Sequence, residues 1–338
     1  MSIVDRVDRF QRKHTVLGFP LAVVYKFFDD QAGYLVALIA YYAFLSFFPL
    51  LLIFTTVLGA VLQSRPDLQQ WLLESTLSEI PVLGDQLGDP GTLQGSTLVI
   101  VVSGLVALYG GLGIGQAFQY TMNTVWGVPR NSRPNPFKAR LRSLVLLLNV
   151  LLFVVLTTGL SIIATTGLLT YPATTRALLN IAQYAVTALV FALAMRRGVA
   201  VDVRLRDVAL GALGAAATWQ VVQYFGVGLV ERAVNSSSSN GIFGIIIGLF
   251  AFFHVAAMGI VLSAEADVVR HERLWPRALL TPFTDNVDLT AGDRRSYTRQ
   301  ARISRFKGYQ QIDVGFDPPE WTEGEGAPPP AAPGSAAR

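Results

Sequence analysis

Residues 34–62 read YLVALIAYYAFLSFFPLLLIFTTVLGAVL, and no charged side chain occurs anywhere from Gln31 to Ser64. About 20 apolar residues in helical form cross the hydrocarbon core of a bilayer. The stretch exceeds that length and is too long for an ordinary helix of a soluble core. It is not uniformly apolar. Tyr42, Ser46, Pro49, Ile53 and Thr56 recur at steps of four, three, four and three, so they share one helix face. Pro49 has no amide donor and crowds the carbonyl of Leu45, which predicts a kink. In lipid a polar, kinked stripe needs neighbouring helices to satisfy it.

The remainder of the chain offers such neighbours. Five further uncharged windows, 90–129, 143–175, 177–195, 208–230 and 233–264, predict spans near 97–122, 144–169, 177–196, 208–230 and 242–268. The expected fold is all-α: a polytopic membrane bundle of six transmembrane helices plus amphipathic surface helices. Composition agrees, since only 15% of the 338 residues are charged, against about 25% in soluble domains. Sidedness follows from the basic residues. Of the 27 Lys and Arg, 24 fall in the N-terminus, in 123–143, in 196–207 or in the tail from 270. The other side keeps Arg65, Arg176 and Arg232. Both termini are therefore expected in the cytoplasm, and the protein in a bacterial cytoplasmic membrane. The excess of Arg over Lys, with abundant Ala and Gly, suggests a GC-rich source.

Three regions are expected. Residues 1–32 are amphipathic, with Arg6, Arg9, Arg12, Lys13 and Lys26 among Phe10, Phe19, Tyr25 and Phe27, and predict one or two helices on the membrane surface. No cleavable signal peptide is read there, because the first apolar run starts late and is too long. Residues 33–275 form the six-span domain. Within it, 63–96 predicts an outer loop with a short helix over Leu68–Ile80. Residues 276–338 form a cytoplasmic tail whose GEGAPPPAAPGSAAR end predicts disorder. The tail's Arg294, Arg295, Arg299, Arg302, Arg305 and Lys307 could meet anionic headgroups or solvent.

Cysteine is absent, which excludes disulfides and thiolate chemistry. His14, His254 and His271 lie far apart, and no HExxH or GxSxG pattern occurs. No catalytic residue, metal ligand or cofactor is therefore expected. Gly110, Gly111, Gly113 and Gly115 superficially resemble a phosphate loop, but inside an apolar span they predict close helix packing. Polar groups at membrane depth carry the functional hypotheses. Tyr42, Ser46, Pro49, Asn149, Gln183, Gln220, Gln223, His254 and Glu265 are candidates for a cavity or translocation path. His254 and Glu265 are 11 residues apart and share a face, about 16 Å along the axis. Direct proton transfer between them is excluded, and a relay would need intermediates. Glu265 could be neutralised by Arg196, Arg197 or the basic 130–142 segment, and Asp267 could meet Arg270 or lipid headgroups. Asn123 and Trp126 are candidate anchors at the cytoplasmic interface.

These residues also resemble a known family. IAYYAFLSFFPLLL (39–52), with Tyr42, Ser46, Pro49 and Leu50, resembles the first-span signature of the YihY/BrkB-like integral membrane proteins. Asn123-Thr124-Val125-Trp126 is similar to that family's Asn-x-Ile/Val-Trp segment. Ser263-Ala264-Glu265 is similar to its Gly-Ala-Glu, with Ser in place of the usual Gly. The resemblance covers roughly residues 15–275 and implies six spans with both termini inside. It brings three functional readings. The first is a transporter or translocator of a lipid or small solute, whose partners are membrane lipids and that substrate, with no nucleic acid. The second is a structural or scaffold protein of the envelope. The third is a membrane-associated ribonuclease, after a label some members have carried; the sequence has no metal site, and no basic groove apart from its membrane-inner flanks, to support it.

Overall fold

The structure is a computed structural model and describes residues 3–64, 97–166, 173–234, 239–283 and 287–317. The expected short helix over 68–80, the turn at Tyr171-Pro172, the serine-rich 235–238 and the Pro-rich end from 318 lie outside these residues. Among them there are nine α-helices and no strands: α1 (Ile3–Lys13), α2 (Thr15–Asp29), α3 (Ala32–Ser64), α4 (Thr97–Val125), α5 (Pro136–Thr166), α6 (Ala173–Gly198), α7 (Ala209–Val234), α8 (Ser239–Glu272) and α9 (Ala291–Ile303).

Each of the six uncharged windows falls on one of the long helices α3 to α8. Among the described residues three stretches, Ala32–Leu50, Ala177–Gly198 and Ile246–Glu272, are long and apolar enough to cross a membrane by length and composition. Large apolar side chains such as Leu148, Ile181, Leu189, Tyr224, Phe225 and Ile247 are exposed on the outside, as in a bundle facing lipid rather than water.

The long helices pack in chain order, α3 on α4, α4 on α5, and so on to α8, which returns to α3 and closes a ring. Glycines set the spacing. A side chain at Gly110 or Gly113 would collide with Ser46 or Tyr42 of α3, one at Gly115 would collide with Ser143 of α5, and one at Gly111 would crowd Leu147 of α5. The glycine run is thus a two-sided packing surface, as its position in an apolar span implied. As the number rises on one helix it falls on the other, so α3, α4 and α5 are antiparallel neighbours. The same holds for α7 on α8, where Gly211 and Gly214 meet Ser263 while Gly259 meets Thr218.

Helix ends follow local chemistry. Asn135 caps α5, its side-chain oxygen accepting the Lys138 amide at 2.9 Å, with Pro136 in the first position. Helix α4 ends where Gly127 adopts φ +62°. The Gly127 amide then donates to Thr124 and the Val128 amide to Asn123, which closes the helix with a left-handed cap. Pro49 lies inside α3, which continues beyond it to Ser64; the side chains of Ile53 and Thr56 lie outside the described set.

The N-terminal segment does form two helices, but α2 packs against α8 and α3 instead of resting alone on a surface. Its Ala22, Val23, Tyr25 and Lys26 are buried. The main hydrophobic core sits at this end of the ring. It is built largely of Ala and Val from α2, α3, α4, α6, α7 and α8, with Met122, Trp126 and Met195.

Candidate functional site

The core end of the bundle encloses charge. Helix α2 presents Lys26 and Asp30 one turn apart, and both side chains are almost wholly buried. The Lys26 Nζ donates to Asp30 Oδ2 at 2.5 Å and to the Val125 carbonyl at 3.0 Å. It also lies 2.7 Å from Oε2 of Glu265 on α8, whose side chain is 0% exposed. This last approach lacks hydrogen-bond alignment, and neither Glu265 oxygen has a hydrogen-bond partner. It is a contact of opposite charges. The Val125 carbonyl ends α4, where backbone acceptors go unsatisfied within the helix. It also accepts from Arg299 Nη2 of α9 at 2.9 Å. Two cations thus converge on the negative end of the α4 dipole. In direct contact, one ammonium faces two carboxylates.

A second buried network fastens the tail. Arg277 is 0% exposed. Its Nη1 donates to Asp29 Oδ2 at 2.9 Å and its Nε to Asp293, while its plane lies near the rings of Tyr25 and Tyr297. Burial works against the Arg277 charge, but Asp29 and Asp293 outweigh it and hold its pKa above the usual guanidinium value. Asp293 also accepts the Ala278 and Thr290 amides, and it completes a capping box with Thr290 at the start of α9. Asp29 further accepts from Ser296. The tail through Arg305, which pairs with Asn131, is therefore docked on the folded end of the bundle. Of its basic cluster, Arg299 contacts Val125 and Glu272, Arg305 bonds Asn131 at 3.2 Å, and Arg294, Arg295 and Lys307 are exposed.

The sequence candidates separate into groups. Tyr42 and Ser46 face α4 over Gly113 and Gly110, and the Ser46 hydroxyl donates back to the Tyr42 carbonyl at 2.7 Å. Pro49 is half-buried farther along the same helix. Asn149 donates to the Val190 carbonyl and accepts from Arg197 Nη1, both at 3.2 Å, and so joins α5 to α6. Gln183 is half-buried, whereas Gln220 and Gln223 are exposed on α7. His254 is half-buried beside the Phe250 ring. Glu265 is at the charged end, and its partner is Lys26; Arg196 and Arg197 serve Asp202 and Asn149 instead. Asp267, expected near Arg270, is fully buried and accepts the Gly211 amide at 2.7 Å. That amide is in the first turn of α7, which attracts a carboxylate; glycine at 211 leaves room for it.

Asn123 is the most heavily used amide. It donates to the Gln119 carbonyl at 2.7 Å and the Gly198 carbonyl at 3.4 Å, and accepts the Ala200 amide at 2.7 Å. It ties the end of α4 to the end of α6. Trp126 is enclosed in protein at 8% exposure, its ring against His271 at 5.5 Å. Sequence reasoning missed Lys26, Asp30, Arg277 and Asp293. The available signal was a Lys and an Asp one turn apart at the end of an otherwise aromatic and aliphatic helix.

Two grooves open at the charged end, one along Arg142, Leu193, Arg196 and Asp202, the other along Trp126, Arg204, Asp207 and His271. Neither is lined by the candidate path residues. Among the described residues no group of three or more His, Asp or Glu is placed to hold a metal ion. No curated protein and no solved structure is significantly similar to the chain. The family model described as virulence factor BrkB matches residues 23–283, from within the charged helix α2 through all six long helices to the first part of the tail, and the chain belongs to that family.

Proposed function

We propose that the protein crosses the bacterial cytoplasmic membrane six times with both termini inside, and that it translocates a lipid or small solute. The Lys26–Asp30–Glu265 cluster would hold its cytoplasmic end shut. That cluster is the observation that carries the reading. Burying three ionisable groups where apolar side chains would pack as well costs stability, and ionisable groups within membrane bundles mark paths and switches. With two carboxylates against one ammonium, the arrival of a proton or cation alters what holds α2 against α8. The convergence of both terminal segments and of the 126–135 and 199–208 linkers on one end supports the sidedness. Reporter fusions after residues 80, 135, 174, 202, 236 and 290 then report out, in, out, in, out, in, and two adjacent fusions on the same side overturn the topology.

The transport test is reconstitution of wild type and Glu265→Gln in liposomes with a panel of labelled lipids and solutes. Wild type should move at least one panel member, and Glu265→Gln should change the rate per inserted molecule. Flux equal to that of protein-free liposomes for the whole panel counts against transport. A second reading, a non-transporting envelope scaffold, is favoured by Asn123, Asn149 and Asp267, whose polar atoms are spent on helix-to-helix bonds. It predicts variants that lose stability and nothing else. Neither reading involves catalysis, and cleavage of RNA by the purified protein would argue against both.

A further inference from the structure

The groove between α5 and α6 is basic, open and set at the cytoplasmic edge of the ring. It encloses about 530 Å³ and is lined by Arg142 of α5 and by Arg196 and Arg197 at the end of α6. A single carboxylate, Asp202, shares it; that side chain is 91% exposed and lies 3.7 Å from Arg196, a separation and exposure at which an ion pair holds little. Arg197 is oriented by its bond to buried Asn149, and this bond occupies one of the five donors of a guanidinium. Three cations against one loosely held anion leave the groove positive.

Its apolar lining decides the source of the anion. Val145 and Leu193 form the groove wall, and exposed Leu148 and Leu189 extend the same faces of α5 and α6 away from the arginines. A charged mouth therefore runs into a surface suited to acyl chains. Arginine forks match phosphate oxygens in pairs, and basic recesses between helices on the cytoplasmic side suit anionic headgroups.

We infer that this groove is a binding site for the phosphate of an anionic phospholipid of the inner leaflet, with Arg142 and the loosely paired Arg196 as its exposed ligands and Arg197 as the oriented third. The site stands independently of transport, since it lies on the outer face of the ring.

The test titrates full-length protein in micelles with phosphatidylglycerol or phosphatidylcholine and counts bound lipid by native mass spectrometry. Phosphatidylglycerol should bind saturably, and at least about tenfold more tightly than phosphatidylcholine. Arg142→Ala/Arg196→Ala should abolish that preference with an unchanged melting temperature, because both side chains are exposed. Arg142→Lys/Arg196→Lys should restore part of it, keeping charge without the fork. Arg294→Ala/Arg295→Ala removes the same charge elsewhere and should change nothing. The inference is overturned if the first pair binds as wild type, or if the control pair loses as much, which would mean diffuse attraction. Displacement by millimolar inorganic phosphate overturns the lipid assignment in favour of a soluble anion.

Discussion

Replacing Lys26 with Met tests whether the buried cluster holds the charged end together. At 2.7 Å from Glu265 the attraction is about 6 kcal/mol at an effective dielectric of 20, and burial of the ions offsets most of it. Removing one member alone is costlier than the net value of the pair, because Asp30 and Glu265 stay buried without a cation. Deletions of that kind cost about 3–5 kcal/mol. The Val125 carbonyl keeps Arg299 as a donor, so no large further loss arises there. A change of this size lowers the melting temperature by on the order of 10 °C. Glu265→Gln should cost much less, since it leaves the Lys26–Asp30 pair balanced and removes a contact without hydrogen-bond alignment. The double variant should regain part of the Lys26→Met loss, because one buried carboxylate is then gone. Thermal unfolding in detergent, followed by tryptophan fluorescence, measures all four proteins. A Lys26→Met melting temperature within two degrees of wild type refutes the argument. So does a double variant as unstable as the two single losses added.

Asn123→Ala strands the part-buried Ala200 amide and removes the donor to the Gly198 carbonyl, and should cost about 1–3 kcal/mol; Asn123→Asp, which keeps the acceptor, should cost less by the same unfolding measurement. Gly113→Ala pushes a methyl group into the Tyr42 ring and should cost about 1–3 kcal/mol, with Tyr42→Ala in the same chain relieving the clash. An equal loss with and without Tyr42 would mean another cause. Asp293→Ala leaves Arg277 with Asp29 alone and strands two amides and the α9 cap, so trypsin cleavage at Arg294 or Arg295 should accelerate by roughly tenfold or more while the ring resists; unchanged cleavage would show that the tail is held by other contacts. Burial raises the Tyr25 and Tyr297 pKa values above the usual 10.0, so the unfolded chain ionises first. Their stabilising contribution is complete below pH 10 and is lost as pH rises through the folded values. Unfolding at pH 9 and pH 11 should show a smaller fall in a Tyr25→Phe/Tyr297→Phe protein than in wild type.

Sequence alone determined the helices. A run of residues without charge either forms a helix or leaves amide groups unsatisfied in an apolar setting, so the windows at 34–62 and beyond could be read locally. The glycines at 110, 111, 113 and 115 were legible as packing for the same reason: a missing side chain on an apolar helix invites a neighbour. Their division between α3 and α5 was not, because which helix comes near depends on the closing of the ring. The site was legible only in half. Glu265 stood out as a carboxylate inside an apolar span, but its partner was sought in the nearest basic loops. Lys26, in a segment that reads as surface, reaches it only because α2 folds under the ring against α8. Arg277 and Asp293 lie in a stretch that reads as a solvated tail, and their burial arises from a left-handed turn at Arg273 and the docking of α9. Charge patterns along a chain report which residues avoid lipid. Which of them are then buried is set by long-range packing, because a charge enters the interior where a distant segment brings it a partner, Lys26 for Glu265 and the Gly211 amide for Asp267.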